Sequence, residues 1–502
     1  MAKICLCLTG KTIKADLEIL EKYRKYIDIA EMRVDCLAPD ERFLIRSFPE
    51  QAGVPVILTI RRAADGGHFT GGEGARITLF SKGLAYASAD LRKNFAYVDL
   101  EEDLNVPSLE EAARTFGTRI IRSFHNIHGM DDDIAGRLRR LHHVGDEIAK
   151  VAVTPQSLAD VVRLYQAARE PTGGEKILLG MGHLGVNTRI LADRLNSCLT
   201  YTSAIHDPNL PTGAPGQLDP KDLVDIYRFR KINAKTELYG VTGYPLQTTL
   251  SPPFFNRVYA EENINAVYVP FPSDSIETFL DLAKLLGLKG VSVTVPYKEQ
   301  ILPYLFSRSE EVQSVGACNT IVASPEGWQG YNTDSRGFSD SLLEFIGTKN
   351  FRGKKITIIG AGGAARAVAS EVFRLKGKAL ILNRTLIRAK RLAQPYHFEW
   401  GSADSDGVEL MRRYNDIIIQ TTSAGMEPNI EDDPLPDYKF NGKEMVFDVI
   451  YKPERTLFLS RAAKAGCSVR NGYDMLMRQA IHQYLFFMST EFPTKLISRM
   501  RM

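Results

Sequence analysis

The sequence lacks a strong charge of either sign, a membrane-length apolar run and any cysteine pair with metal-ligand spacing. Lys and Arg number 63 and Asp and Glu 60, so the net charge of +3 gives no reason to expect a nucleic-acid or membrane partner. No apolar run approaches the roughly 18 residues of a bilayer span. The 6 cysteines are scattered, which is typical of free thiols in a reducing compartment. We therefore expect a cytoplasmic protein without a metal; a plastid protein whose transit peptide has been removed stays open as an alternative.

What the chain does have is length and a repeated β–α pattern. At 502 residues it exceeds one ordinary domain. In the first half, short apolar runs alternate with stretches of helical period such as LADVVRLYQAAR. Eight β–α units in about 230 residues favour a closed (β/α)8 barrel over an open sheet. The predicted strands are Lys3–Leu8, Ile27–Asp35, Val54–Arg61, Ala96–Glu101, Thr118–His125, Ile148–Val153, Lys176–Met181 and Thr200–Ile205.

A lysine inside one of these runs is the strongest candidate for chemistry. Lys150 lies in IAKVAV, and burial disfavours its ammonium form. A neutral amine can attack a ketone and form an imine, which acts as an electron sink. His125, at the end of the preceding strand, is then the natural base. The alternative is that Lys150 is a structural ion-pair partner.

Motifs in the first 230 or so residues resemble type I 3-dehydroquinate dehydratase. They are AEMRVD, LTIR followed by DGG, SFH, AKVAVTPQS, MGHLGVNTR and APGQ, in that order. The resemblance implies an imine on Lys150 and proton transfer by His125, with Asp65 orienting the histidine. It also implies the substrate-binding residues Glu31, Arg33, Arg61, Met181, Arg189 and Gln217.

Three positions depart from that family's pattern. Asp65 stands where relatives usually have glutamate, Gly213 replaces the serine of SAPGQ, and Cys7 replaces a small polar residue. These changes affect hydroxyl contacts and leave the imine chemistry intact. The glycine-rich piece GGHFTGGEG (66–74) lacks a GK[ST] ending and is not expected to open a helix. We interpret it as a mobile lid or as a plain flexible loop.

Near Asn233 the pattern changes, and a second set of β–α units follows. The stretch KKITIIGAGGAARAVASEVFRLKG is typical of the strand, glycine turn and helix that open a dinucleotide-binding domain. The next strand ends without the carboxylate that an NAD site carries. Two arginines there favour NADP over NAD, and solvated basic residues are the alternative. The predicted cofactor residues at these two turns are Gly360, Ala361, Gly362, Gly363, Ala364, Asn383, Arg384, Thr385 and Arg388.

Residues 238–502 resemble shikimate dehydrogenase throughout. The matching pieces include YGVTGYPLQTTLSP, GVSVTVPYK, GACNTI, GYNTDSRGF, TTSAGM, DVIYKPERT and GYDMLMRQ. The resemblance implies that Lys298 and Asp334 form the catalytic pair and that Val449 and Gly472 approach the nicotinamide. It implies a substrate pocket formed by Thr249, Ser251, Thr294, Asn319, Tyr451 and Gln479.

Together these patterns predict an α/β protein: a (β/α)8 barrel followed by a two-domain dehydrogenase with a Rossmann-type NADP-binding domain. We expect a barrel over 1–233, a substrate domain over 236–340 completed by 473–502, and the NADP domain over 341–472. The implied function is the dehydration of 3-dehydroquinate followed by NADPH-dependent reduction to shikimate, with small molecules as the only expected partners. The alternatives are a catalytically dead regulatory protein and a dehydrogenase for quinate.

Overall fold

The structure is a computed structural model that describes residues 1–85, 88–142, 145–207, 210–246 and 249–497. It divides into two compact units, Met1–Leu288 and Lys289–Met502. Both units alternate strands and helices. None of the helices within the described ranges is long and apolar enough to cross a membrane.

Eight parallel strands in the first unit form the predicted barrel. They are β1 (Lys3–Leu8), β2 (Ile29–Arg33), β3 (Val56–Thr59), β4 (Tyr97–Glu101), β5 (Arg119–Asn126), β6 (Ile148–Val153), β7 (Lys176–Gly180) and β8 (Leu199–Thr202). Their spatial order is β7-β6-β5-β4-β3-β2-β1-β8. A bridge between Lys176 and Ser197 brings β7 to the start of β8, so the sheet is nearly closed. The barrel prediction is confirmed, and each observed strand overlaps the run predicted for it.

Eight helices accompany these strands. They are α1 (Ile13–Tyr23), α2 (Phe48–Ala52), α3 (Glu73–Leu84), α4 (Pro107–Thr115), α5 (Ile134–Leu141), α6 (Leu158–Ala167), α7 (Val186–Ile190) and α8 (Pro220–Asp225). Local sequence explains several of their starts. The Ser157 hydroxyl accepts a hydrogen bond from the Asp160 backbone in a capping box before α6, and Pro107 and Pro220 begin α4 and α8.

The rest of the first unit contains β9 (Glu237–Gly243), α9 (Ser251–Glu261), β10 (Ala266–Pro272) and α10 (Ile276–Leu286). β9 and β10 pair in parallel. The Leu158 backbone N–H donates to the Asp274 carboxylate at 3.0 Å, and Arg169 donates to the Leu285 carbonyl at 2.5 Å. Residues 237–288 therefore pack against the barrel at α6.

The second unit begins with a small mixed sheet. It contains β11 (Gly290–Val293), β12 (Leu305–Arg308), β13 (Thr320–Ser324) and β14 (Gly327–Tyr331), with α11 (Tyr297–Gln300), α12 (Glu310–Val315) and α13 (Thr333–Ile346). The late helix α18 (Tyr473–Met488) returns to this sheet. Its Gln483 side chain accepts from Ser292 at 2.8 Å and donates to Thr320 at 2.9 Å.

A six-stranded parallel sheet completes the second unit. Its strands are β15 (Lys355–Ile359), β16 (Lys378–Asn383), β17 (Glu399–Ser402), β18 (Ile417–Gln420), β19 (Met445–Asp448) and β20 (Ser468–Arg470). The spatial order β17-β16-β15-β18-β19-β20 is the 3-2-1-4-5-6 order of the Rossmann fold, which the sequence predicted. The accompanying helices are α14 (Gly363–Arg374), α15 (Leu386–Ala393), α16 (Ser405–Met411) and α17 (Leu457–Lys464), and α19 (Thr494–Ile497) follows α18.

A buried carboxyl on α1 makes the stability of the first unit depend on pH. Burial raises the pKa of Asp16 from 3.8 to about 7. Between these two pH values the folded state therefore keeps a proton on Asp16 that the unfolded state has released. The contribution of protonated Asp16 to the free energy of unfolding is present below about pH 4 and is lost as pH rises through 7. We expect Asp16→Asn to stabilise the protein at pH 8.5 by up to about 4 kcal/mol and to change little at pH 4.5.

Chemical denaturation at the two pH values measures this difference. The amide oxygen of the introduced asparagine can still accept from the Gly10 backbone N–H, as the Asp16 carboxyl does at 2.8 Å. Glu18→Gln, at an exposed position of the same helix, is the matched control. An equal effect of Asp16→Asn at both pH values would contradict the protonated state.

Candidate active sites

The carboxyl ends of the barrel strands enclose a pocket of about 360 Å³. Every residue that the sequence predicted for this half contributes to its wall. These residues are Glu31, Arg33, Arg61, Asp65, His125, Lys150, Met181, Arg189 and Gln217. They come from several strands and loops, because the mouth of a parallel barrel gathers the strand ends into one place.

Lys150 lies in this pocket with an ionic partner. Its Nζ donates to Asp99 Oδ2 at 2.7 Å and lies 4.4 Å from the centre of the Tyr201 ring. Its side chain is 6% exposed and that of Asp99 is 0% exposed. The apolar setting suggested by IAKVAV is therefore only part of its environment, because Asp99 reaches it from β4.

His125 carries a free ring nitrogen in the same pocket. Burial, and then the nearby charges of Arg61 and Lys150, hold the pKa of His125 well below its ordinary value. Its Nδ1 has no hydrogen-bond partner in the described part of the chain. A neutral ring with an unoccupied nitrogen is the state that a general base requires.

Two of the three predicted arginines are already neutralised. Arg61 pairs with Asp99 at 2.8 Å and with Glu101 at 2.5 Å. Arg33 pairs with Asp35 at 2.7 Å. Each guanidinium thus has a buried carboxylate partner. The negative charge of that partner offsets the positive charge of the guanidinium and weakens its attraction for a substrate anion.

Arg189 differs from both. It is buried, its Nε has no partner, and its other contacts are the backbone oxygens of Tyr201 and Pro215. No carboxylate among the described residues lies within ion-pair distance of it. Burial lowers its pKa to about 10, so the group stays charged at neutral pH. It is the best-placed group in this pocket to receive a carboxylate.

Asp65 and the segment after it differ in part from expectation. The Asp65 carboxylate accepts from Arg62 at 2.6 Å, and Asp65 also lines the pocket. The piece 66–74 does open a helix, because α3 begins at Glu73 with Gly72 as its N-cap. The expectation of no helix there was wrong: glycine is among the residues accepted at an N-cap, and the apolar and charged residues that follow have helical spacing.

Sequence reasoning missed two acidic residues that organise the pocket. Asp99 receives hydrogen bonds from Lys150 and, at 2.5 Å, from Ser123, and Asp35 accepts from the backbone N–H groups of Arg61 and His68. The two-residue period of β4 was the available signal, since it places Asp99 on the same face as Glu101.

The second unit brings its predicted catalytic pair together. Lys298 Nζ lies 2.5 Å from Asp334 Oδ2, with side chains 22% and 13% exposed. Lys298 lies on the short helix α11 and Asp334 in the first turn of α13. Asn319 donates to the other oxygen of Asp334 at 2.9 Å and to Thr333 at 2.9 Å. The pair is therefore held from the sheet side by an amide.

The remaining predicted substrate residues are spread over both units. Gln479 on α18 lies close to α13, where a Cβ on Gly337 would come within 2.7 Å of its backbone nitrogen. Thr294 accepts a backbone hydrogen bond from Tyr297, and burial raises the pKa of Tyr451. Thr249 and Ser251 belong to the first unit; the Ser251 N–H donates to the Thr249 hydroxyl at 3.2 Å.

The glycine turn after β15 fits a dinucleotide. Gly360 has φ +115°, and a Cβ there would lie 2.5 Å from Thr421 Oγ1. Gly362 is the N-cap of the 12-residue α14 and supplies no capping side chain, while Cβ atoms at Gly362 and Gly363 would meet open space. Free N–H groups at a helix start with room in front of them are the features that receive a pyrophosphate. Ala361 and Ala364 are the small neighbours of these glycines.

The end of β16 presents the predicted basic pair. Arg384 and Arg388 are exposed, and within the described ranges neither pairs with a carboxylate. Asn383 donates to the Thr385 carbonyl at 3.0 Å, which shapes the turn. At the other end, Gly472 lies against Val449, since a Cβ on Gly472 would be 2.0 Å from the Val449 carbonyl oxygen.

Comparison with known families agrees with both halves. The family model for type I 3-dehydroquinase matches residues 4–234. The model for the shikimate dehydrogenase substrate binding domain matches 241–321, and the model for shikimate / quinate 5-dehydrogenase matches 343–450. A shikimate dehydrogenase (NADP(+)) of Caldanaerobacter subterraneus is 38% identical over 266 residues, which is 52% of this chain and 94% of the relative. The chain belongs to the shikimate dehydrogenase family, and its first half matches the type I 3-dehydroquinase model.

Further similarities support this family assignment. The bifunctional 3-dehydroquinate dehydratase/shikimate dehydrogenase, chloroplastic, of Arabidopsis thaliana is 28% identical over 530 residues, covering 98% of this chain and 83% of the relative. The crystal structure of shikimate dehydrogenase from Aquifex aeolicus has 34% identity and a TM-score of 0.50, covering 53% of this chain and 98% of that one. The shikimate dehydrogenase part thus spans almost the whole length of its relatives, and the region that matches the type I 3-dehydroquinase model precedes it.

Proposed function

We propose that this shikimate-pathway enzyme converts 3-dehydroquinate to 3-dehydroshikimate in its barrel and then reduces that product to shikimate with NADPH. The observation that carries the proposal is one pocket that holds a buried lysine, a neutral histidine and an unneutralised arginine. The second unit supports it with a lysine–aspartate pair and a glycine turn in a Rossmann sheet.

In the barrel, Lys150 acts as the nucleophile. Its ammonium passes a proton to the neutral His125, and the resulting amine attacks the C3 ketone. His125 then returns that proton to the carbinolamine hydroxyl, which leaves as water as the iminium forms. His125 takes the C2 proton, and the resulting enamine expels the C1 hydroxyl, which leaves as water with a proton returned by His125. Hydrolysis of the iminium releases 3-dehydroshikimate and regenerates the amine, so the net change is loss of one water.

The other pocket residues hold the substrate. Arg189 receives the carboxylate because its charge is not already neutralised. Glu31, Gln217 and Met181 contact the substrate ring. Arg33 and Arg61, together with their carboxylate partners, determine the electrostatic potential in the pocket. Asp99 stabilises the Lys150 ammonium between turnovers. Burial alone would raise the pKa of Asp99, but the charges of Arg61 and Lys150 outweigh burial and hold that pKa far below its ordinary value.

In the second unit, Lys298 and Asp334 handle the proton. NADPH, when bound, supplies the hydride to the carbonyl carbon. Lys298 hydrogen-bonds the carbonyl oxygen and delivers its proton there, and Asp334 orients the ammonium at 2.5 Å. Asn319 keeps Asp334 in place. Thr294, Gln479 and Tyr451 of this unit bind the substrate carboxylate and hydroxyls. For Thr249 and Ser251 of the first unit, the family resemblance alone implies the same role.

The cofactor is held at the two turns described above. The N–H groups at Gly362 and Gly363 bind the pyrophosphate, and Arg384 and Arg388 bind the 2′-phosphate. Val449 and Gly472 lie at the nicotinamide end. We propose domain boundaries of 1–233, 236–340 with 473–502, and 341–472; the contacts of Gln483 on α18 with β11 and β13 support the return of the last segment.

Two alternatives are a catalytically dead regulatory protein and a quinate dehydrogenase. A dead regulatory protein would not need Lys150 and Lys298 in ion pairs inside complete sites. No described contact favours quinate over shikimate. Incubation with 3-dehydroquinate and NADPH tests the proposal: the absorbance of 3-dehydroshikimate should appear and NADPH should be consumed. Quinate as the better substrate in the reverse direction would favour the alternative dehydrogenase.

We propose a cytoplasmic location; the plastid alternative stays open, since the Arabidopsis relative is named chloroplastic.

The exposed arginine pair predicts cofactor choice. We expect kcat/KM to favour NADP over NAD by at least about tenfold, because two guanidiniums pair with the 2′-phosphate. Replacing Arg384 and Arg388 by alanine should remove most of that preference. Arg391→Ala, also on α15 and exposed, is the matched control and should leave the ratio unchanged. Equal use of the two cofactors by the unaltered protein would show that the arginines are only solvated.

Separate expression of 1–233 and 234–502 tests the division of labour. Each fragment contains its own proposed catalytic residues and exceeds the size needed for a core. We expect soluble fragments that retain dehydration and shikimate oxidation respectively. The cut breaks the hydrogen bonds of α6 to residues 237–288, so some loss of thermal stability is expected with activity retained. A folded but inactive fragment that recovers on mixing would place residues of one half in the other's site.

A further inference from the structure

Two departures from the 3-dehydroquinase pattern meet in one corner of the barrel pocket. Cys7 lies on β1 and Gly213 in the loop after β8, 206 positions later in the sequence. Both line the pocket. Their proximity was not predictable from the sequence, because the pattern alone treats them as separate changes.

With the backbone as it stands, a side chain at position 213 would collide with Cys7. A Cβ at Gly213 would lie 2.7 Å from Cys7 Cβ, 3.0 Å from Cys7 Sγ and 2.9 Å from Gln217 Oε1. Real Cβ atoms essentially never approach other heavy atoms under 3.0 Å, and all these neighbours are buried. A serine at 213 would therefore displace the cysteine, the glutamine or the loop.

The Cys7 thiol makes the polar contacts in this corner. Its Sγ donates to Glu31 Oε2 at 3.0 Å and accepts from Gln217 Nε2 at 3.2 Å. The far side of each partner is also fixed: Thr59 donates to Glu31 at 2.9 Å, and Ser203 donates to Gln217. Burial, and then the charge of Glu31, raise the pKa of Cys7 well above its ordinary value, so the thiol keeps its proton.

We propose that Cys7 is a positioning residue of the dehydratase site, which orients Glu31 and Gln217 through its thiol, and that Gly213 is glycine because the Cys7 side chain, with its Cβ nearest, occupies the space beside it. The two positions act as one coupled pair. This inference rests on the proposed dehydration in the barrel, and it assigns Cys7 no part in bond making or breaking.

Steady-state kinetics of dehydration tests the pair in the full chain. Cys7→Ala removes both hydrogen bonds and should raise KM for 3-dehydroquinate about five- to tenfold, with kcat changed less than about threefold. Cys7→Ser keeps a donor and an acceptor and should stay within about threefold of the unaltered protein in both constants. Gly213→Ser should lower kcat/KM by more than about tenfold.

The double variant Cys7→Gly with Gly213→Ser measures the coupling. Removing the Cβ at position 7 makes room for the new side chain, so the double variant should be more active than Gly213→Ser alone. Gly129→Ser is the matched control, because a Cβ there meets nothing within 4 Å. Shikimate oxidation by the same samples reports that the chain is intact, and thermal melts report folding of the barrel.

The outcomes separate this inference from the proposed function. Borohydride trapping of an adduct on Lys150 in the unaltered protein tests the dehydration itself. If the adduct forms but Cys7→Ala is unchanged in KM, or Gly213→Ser is as active as Gly129→Ser, the pair is not coupled and the inference is overturned. If no adduct forms, the proposed function has failed first.

Discussion

Replacing Lys150 by alanine is expected to abolish the dehydration of 3-dehydroquinate while leaving NADPH-linked reduction unchanged. Without the amine no iminium can form, and the C2 proton is no longer acidified by an electron sink. We expect kcat to fall by about 10⁴-fold or more, as removal of a covalent nucleophile generally does. The reduction should persist because Lys298 and Asp334 belong to the second unit.

The choice of variant separates imine chemistry from a structural ion pair. Lys150→Arg retains a cation beside Asp99 but cannot form an imine, so it should be as inactive as Lys150→Ala. Activity in Lys150→Arg, with loss only in Lys150→Ala, would mean that the 2.7 Å contact with Asp99 is the residue's main role.

Trapping provides the direct measurement. Borohydride added with substrate or product should reduce the iminium, and mass spectrometry should locate the adduct on Lys150. Lys176 is the matched internal control: it is a buried barrel lysine on the neighbouring strand, but its Nζ donates to the Ala168 carbonyl at 2.9 Å and it does not line the pocket. An adduct on Lys176, or none at all, would contradict the assignment.

The barrel site shows which parts of a site sequence can supply. Apolar runs located the strand ends, and parallel topology brings those ends together, so the predicted strand-end residues Glu31, Arg33, Arg61, His125, Lys150 and Met181 share a pocket. Asp65, Arg189 and Gln217 line the same pocket, but only the family resemblance predicted them. Which converged charges neutralise each other could not be read in the same way. Arg61 and Arg189 look alike in sequence, yet one meets two carboxylates and the other none among the described residues, because that depends on strand register and side-chain reach.

The same limit on sequence reasoning holds for the second unit. The Rossmann strand order followed from the strand, glycine turn and helix pattern. The contact between Lys298 and Asp334 did not follow from periodicity; the family resemblance alone paired them. The two residues meet because α11 and the first turn of α13 lie close together in the fold. Asn319, just before β13, donates a hydrogen bond to the other oxygen of Asp334.

Lys298→Met is expected to lower kcat for reduction of 3-dehydroshikimate by about 10²- to 10⁴-fold, the range of a lost general acid. The unbranched methionine side chain has a similar volume but offers no proton to the carbonyl oxygen. Asp334→Asn should show a smaller loss, because the amide still fits beside Asn319 but no longer attracts the ammonium. Dehydration of 3-dehydroquinate should be unchanged in both variants.

The control for this pair lies one residue away. Glu299 follows Lys298 on α11, and its carboxylate pairs at 3.0 Å with Arg366 in a contact where the two side chains are 50% and 34% exposed. An exposed pair of this kind contributes little, so Glu299→Gln should retain kcat within about twofold. If Lys298→Met keeps more than about a tenth of the activity, the proton must reach the oxygen from another donor. The lysine–aspartate contact would then be a structural bridge, because hydride transfer to a carbonyl still needs a proton at the oxygen.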